Sequence, residues 1–157
     1  MLKRMPTRAA WDGNVQSGEY QQVHETPGVE EYRALRRASG LSDKSVEAAH
    51  RGLPRSLFAT TIRDGARLIA MGRVVGDGGC DFSVVDIAVH PDYQRQGLGQ
   101  QIMQAIMAYL EREAPASAYV ALIADDHAPA LYEKFGFKAT APKSIGMSYR
   151  VGSQSSD

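Results

Sequence analysis

Six consecutive residues, Gln94-Arg95-Gln96-Gly97-Leu98-Gly99, stand between an apolar run ending at Val89 and a long amphipathic stretch beginning at Gly99. Glycine at position 97 admits positive φ and lets a ligand approach the backbone, and Gly99 leaves room over a first helical turn. The first N–H groups of a helix have no partner inside it and lie at the positive end of its dipole. Strand, glycine loop and helix together therefore form a cradle for an anion, most naturally a phosphate. Arg95 adds a fixed positive charge. The same spacing also suits a plain tight connection. It matches neither common nucleotide fingerprint, because Ile102 stands where GxGxxG requires glycine and no GxxxxGK followed by Ser or Thr occurs.

Two further side chains have types suited to proton transfer. Asp86 interrupts the apolar run Val84–Val89. Burial makes a carboxylate a stronger base, whereas pairing with an arginine or a backbone group makes it structural; both readings of Asp86 stand. Tyr132 lies on a short amphipathic segment and either packs into the core or supplies a proton. His90 reads as a strand-end residue before Pro91, and His127 as a helix-start residue. Met103 and Met107 fit a helix core, and Cys80 fits packing, since nothing nearby would lower its pKa.

The elements that must position these groups follow from periodicity. Glu19–His24 predicts a short strand, and Val29–Ser39 a helix stopped by Gly40. Ser45–Arg51 predicts a second short helix capped by Ser42 or Asp43. Ser56–Ile62, Arg67–Val75 and Cys80–Val89 predict three strands joined by Arg63-Asp64-Gly65 and Gly76–Gly79, an antiparallel meander. Gly99–Glu113 is a strongly amphipathic helix. Tyr119–Ala124 reads as a strand covered on both faces, and Ala128–Phe135 as a short helix closed by Gly136. Phe137–Thr140 and Ile145–Val151 read as two closing strands. The fold class expected is α/β (α+β), a mixed, mainly antiparallel sheet of about seven strands with helices on both faces. One domain, residues 18–151, is expected between an N-terminal arm, 1–17, and a flexible tail, 152–157.

The chain has 157 residues, 18 Lys and Arg against 18 Asp and Glu, and 43% hydrophobic residues. The balance of charge gives no global field for nucleic acid or anionic membrane. No apolar run approaches the roughly 18 residues of a bilayer span, and the basic start is not followed by the apolar stretch of a secretory signal. A single cysteine cannot form an internal disulfide, and no Cys/His cluster suggests a metal. A cytoplasmic protein, monomeric or homodimeric, with no metal, is the expectation.

The Gln94-x-x-Gly97-x-Gly99 motif after a strand, with Leu131-Tyr132 and Gly136-Phe137 further on, resembles the GCN5-related N-acetyltransferase (GNAT) superfamily. Its pyrophosphate motif is Arg/Gln-x-x-Gly-x-Gly/Ala. Its second marker is a short helix of the form A-x-x-L-Y-x-x-x-G-F, here with the spaced alanine at Ala128. The resemblance covers roughly Glu19 to Val151 and implies the acyl-CoA N-acyltransferase fold, in which the fourth strand (Val84–Val89) is bulged and splays from the fifth (Tyr119–Ala124). It implies acetyl-CoA as cosubstrate, its pantetheine arm along backbone groups of Ile87, Ala88 and Val89. The pyrophosphate is implied on the N–H groups of Arg95, Gln96, Gly97, Leu98, Gly99 and Gln100, with Gln94 in the motif. Tyr132 is implied as proton donor to the departing thiolate. Asp125, which stands where many relatives have asparagine near the cofactor, is implied with Tyr132 as a cofactor-binding residue. Asp86, beside the implied thioester, is the first candidate to take the proton of a primary amine acceptor. The alternative is a catalytically weak acyl-CoA-binding sensor or interaction module, and a third reading is a binder of phosphosugars or nucleotides.

Overall fold

The β-branched runs of the first half pair in chain order. The computed structural model describes residues 14–17, 19–125 and 128–152, and the chain divides into two units, Met1–Leu122 and Ile123–Asp157. In the first unit the elements are β1 (Asn14–Ser17), β2 (Tyr20–Val23), α1 (Val29–Ala38), α2 (Val46–Gly52), β3 (Phe58–Asp64), β4 (Arg67–Gly76), β5 (Asp81–Val89), α3 (Leu98–Glu113) and β6 (Tyr119–Ala121). The sheet runs β1-β2-β3-β4-β5-β6. Every neighbouring pair is antiparallel except β5 and β6, which run parallel after the crossover through α3.

Alternation along β4 separates the two faces. Met71 packs with Tyr32, Leu35, Ala49, Leu53, Leu68 and Ala88, a cluster that seats α1 and α2 on the sheet. Its neighbour Gly72 points the other way, where a Cβ would stand 2.5 Å from Ile102 Cγ2 and 2.7 Å from Ile87 Cδ1. Glycine there lets α3 lie directly on the strand. Ile102, Met103 and Ile106 of α3 are fully buried, so helices cover both faces as the periodicity predicts.

The register of β4 and β5 shifts between Met71 and Arg73: Arg73 faces Val85, and Met71 faces Ala88. Two residues of β5, Asp86 and Ile87, therefore oppose Gly72 alone, and Asp86 takes φ 60°. This is a β-bulge. On the other side β5 pairs with β6 only through Asp81, Ser83 and the residue between them, and among the described residues no strand continues that ladder along Val84–Val89.

Several boundaries differ from expectation. Asn14–Ser17, placed in the arm, pairs with β2. Ser45, not Ser42 or Asp43, caps α2, accepting the Ala48 N–H at 3.0 Å. The fifth strand is only Tyr119–Ala121, and Tyr119 and Ile123 are exposed rather than covered. The sheet has six strands among the described residues instead of about seven.

The second unit, described by itself, holds α4 (Pro129–Glu133). Its end is a Schellman motif: Phe137 N–H donates to Tyr132 C=O at 3.3 Å and Gly136 N–H to Glu133 C=O at 3.1 Å, with Gly136 at φ 89°. The Tyr132 and Phe137 rings meet edge-on at 6.3 Å, the apolar contact that accompanies such a cap. Phe137–Thr140 and Ile145–Val151 are not strands. Ile145, Met147, Tyr149 and Val151 alternate as strand residues do, yet all are exposed. An alternating pattern yields a strand only where a neighbouring ladder and a covered face complete it. No helix among the described residues is long and apolar enough to cross a membrane.

Candidate functional site

The loop before α3 is held from behind. His90 N–H donates to Ile69 C=O at 2.8 Å, and a turn of 3-10 helix, Pro91–Tyr93, follows. Gln94 Nε2 reaches back to Val89 C=O at 3.3 Å, so this side chain braces the loop against the end of β5. Arg95 takes φ 64° and Gly97 φ 78°. The left-handed turn at Arg95 costs a side-chain-bearing residue about 1–2 kcal/mol. The first helical bond closes from Gln101 N–H to Gly97 C=O at 3.1 Å, which leaves the amides of Leu98, Gly99 and Gln100 without a helical partner. Leu98 is buried and pins the helix start, while Gln94, Arg95, Gln96 and Gly97 are exposed. Anchored from within and open outside, the segment can accept an anion.

The bulge carries a second, wholly different group of charges. Asp86 Oδ1 accepts from Arg36 Nη1 at 2.5 Å. Its Oδ2 accepts from Arg73 Nε at 2.7 Å and from the Tyr32 hydroxyl at 2.8 Å. The side chains of Asp86 and Arg36 are each 7% exposed, and that of Arg73 11%. Arg36 is fixed further by Ser42, whose C=O and Oγ accept from Nε and Nη2 at 2.6 and 3.1 Å; Arg73 Nη1 donates to Ser56 Oγ at 2.8 Å. Both guanidiniums lie over the Tyr32 ring. Burial, then the Asp86 charge, pushes the Tyr32 hydroxyl above the usual tyrosine value, so it stays a donor. Of the two readings of Asp86, pairing with arginine is the one built here. A proton taken up by this carboxylate would cancel the charge that both arginines pair with.

Sequence reasoning missed Arg36, Arg73 and Tyr32 as a group. The signal was present: Arg36 occupies an apolar position of α1, and Arg73 interrupts the apolar run of β4. Each alone reads as an amphipathic side chain at a margin. Ile87, Ala88 and Val89 follow the bulge, and Ala88 is buried against α1 and α2. In the second unit Tyr132 is buried. Burial, then the charge of Asp125, raises its hydroxyl above the usual value. Asp125 is exposed, and His127 lies outside the described residues.

Residues 56–139, which contain both the loop before α3 and the Tyr132 helix, match the family model for the acetyltransferase (GNAT) domain. The chain belongs to the GNAT acetyltransferase family. A solved structure from methicillin-resistant Staphylococcus aureus, a protein of unknown function named as a probable acetyltransferase, is 49% identical with a TM-score of 0.81, over 83% of this chain and 98% of that one. The ribosomal protein bS18-alanine N-acetyltransferase of Escherichia coli is 40% identical over 58 residues, 36% of this chain and 39% of its own. The uncharacterized N-acetyltransferase ycf52 of Porphyra purpurea is 34% identical over 71 residues, 45% of this chain and 40% of its own. The matched stretch thus spans well under half of these two GNAT relatives.

Proposed function

We propose that this GNAT protein transfers the acetyl group of acetyl-CoA to a primary amine by direct attack within a ternary complex. The observation that carries the reading is the loop in which Arg95, Gln96 and Gly97 are exposed, with the Leu98, Gly99 and Gln100 amides ahead of the first helical bond of α3. Its amides and the Arg95 guanidinium suit a diphosphate. The edge of β5 after Ser83, unpaired among the described residues, suits an extended pantetheine arm, which takes main-chain bonds from Ile87 to Val89 as an added strand would. Acetyl-CoA, when bound, supplies an activated thioester.

The remaining chemistry falls to side chains and amides of this chain. The Ile87 N–H, presented by the bulge, faces the carbonyl oxygen on which charge develops. Tyr132 holds the sulfur by hydrogen bond and passes its proton late. Full transfer from an unperturbed tyrosine near ~10 to a thiolate near ~8.5 is uphill by about 2 kcal/mol, and the raised hydroxyl of Tyr132 makes it more so. No activated nucleophile is required, because the amine attacks directly. A proton on Asp86 would cancel the negative charge that Arg36 and Arg73 share, so water relaying the amine's proton is the lower-cost route.

The pairing of Asp86 with two arginines is also what favours the second reading, an acyl-CoA sensor with weak turnover. Calorimetry with coenzyme A and thiol release over an amine panel separate the two. The enzyme binds coenzyme A and releases thiol on amine addition; a sensor binds without amine stimulation. Arg95→Ala is expected to weaken coenzyme A binding about tenfold, and Gly97→Val more, because valine at positive φ redirects the amides. Folded protein that takes up no coenzyme A overturns the proposal.

A further inference from the structure

The Asp86 cluster is unbalanced. Two guanidiniums, Arg36 and Arg73, share one carboxylate, and among the described residues neither pairs with another acid. A largely buried group with a net positive charge is costly without an anion to complete it. The hydrogen bonds locate the open position. Arg36 uses Nε, Nη1 and Nη2 on Ser42 and Asp86. Arg73 uses Nε on Asp86 and Nη1 on Ser56, and its Nη2 has no acceptor among the described residues. Since no fully buried side-chain nitrogen or oxygen lacks a partner, Nη2 lies at the mouth of the cluster. Asp86 and Ser56 hold the guanidinium plane, so this donor edge is fixed before any ligand arrives.

We propose that Arg73 is an acceptor-binding residue and that the amine acceptor carries an anionic oxygen group, carboxylate or phosphate, which Arg73 Nη2 receives. The inference rests on the acetyltransferase reading for the word acceptor. The anion site itself rests on the cluster alone. Asp86 immediately precedes Ile87, the amide assigned to the thioester oxygen, so an anion on Arg73 lies within a small molecule's reach of the reacting carbon. A compact acceptor with amine and anion a few bonds apart fits this spacing.

The test compares matched pairs: glycine, β-alanine and glutamate against their carboxamides, and glucosamine 6-phosphate against glucosamine. Thiol release gives kcat/KM, and calorimetry on the protein with and without coenzyme A gives binding independent of turnover. The anionic member of at least one series is expected to be preferred about 10–100-fold. The carboxylate and phosphate series distinguish which anion the site takes. Folded Arg73→Met, checked by circular dichroism, is expected to bring the ratio near one, and Arg73→Lys to restore part of it. Equal use and equal binding of charged and neutral members by the unaltered protein overturns the proposal, as does a preference that survives in folded Arg73→Met. Binding of the anionic members without thiol release from any amine overturns the acetyltransferase reading and leaves the anion site standing.

Discussion

Arg73 Nε meets Asp86 Oδ2 at 2.7 Å across a bulge in which Asp86 itself holds φ 60°. The ion pair and the left-handed backbone are one device: the bulge turns the carboxylate toward α1, and the arginines keep it there. Aspartate suits the position doubly, since its short polar side chain tolerates this backbone better than most.

Asp86→Ala should therefore lose two things, the anion between two buried cations and a residue tolerant of positive φ. A destabilisation of about 3–5 kcal/mol is expected for the first. Asp86→Gly loses the anion but keeps the backbone free, so it should be about 1 kcal/mol less damaging than alanine. Urea unfolding of both variants measures the difference, and equal midpoints would remove the backbone contribution.

Tyr132→Phe is expected to cut turnover by roughly 10²–10⁴ with little change in coenzyme A affinity. The pH profile gives a second check. A proton donor loses activity as pH rises through its pKa, and burial, aided by the Asp125 charge, has moved that point above the ordinary tyrosine value. The alkaline limb assigned to Tyr132 should thus fall above pH ~10. A limb near the free tyrosine value or below it, abolished by Tyr132→Phe, would contradict the buried setting.

Gly72→Ala puts a methyl group 2.5 Å from Ile102 Cγ2 and 2.7 Å from Ile87 Cδ1. Ile102 is fully buried and has nowhere to retreat. Overpacking of this kind costs about 1–3 kcal/mol, read as a lowered thermal midpoint. Ile87→Val in the same chain should recover part of the loss, because it removes the Cδ1 that the new methyl meets at 2.7 Å.

His24 links folding to pH. Its ring lies 5.2 Å from Phe58, which stacks on Tyr109 at 4.8 Å, and its Nδ1 is 3.2 Å from Thr60 Oγ1. Burial first, and then the Arg112 charge, lowers its pKa from 6.5. The unfolded imidazole takes a proton before the folded one does. Stability is therefore full above pH ~6.5 and declines as pH falls from there to the lowered value. His24→Gln should flatten that decline in unfolding midpoints measured across the range; an unchanged slope would assign it to other groups.

Much of this molecule is legible in its residue order. The meander, the capped α1, the glycine loop before α3 and the Gly136 cap are all local: each depends on alternation, a 3.6-residue period or one residue's permitted φ, and each is found within a few residues of its expected place. The two closing strands were read from the same kind of pattern and are absent among the described residues. Ile145–Val151 alternates correctly, but strand formation depends on a partner backbone that alternation does not supply.

The sequence by itself determined the glycine loop before α3 and the elements around it, because glycine torsions, helix termini and apolar periods act over short spans of chain. Only the tertiary structure decided what Asp86 is. Its partners come from 13, 50 and 54 residues away, brought together by a bulge and by the seating of α1 on the sheet. A carboxylate's chemistry is set by the charges within a few ångströms of it, and that neighbourhood exists only once the chain has folded.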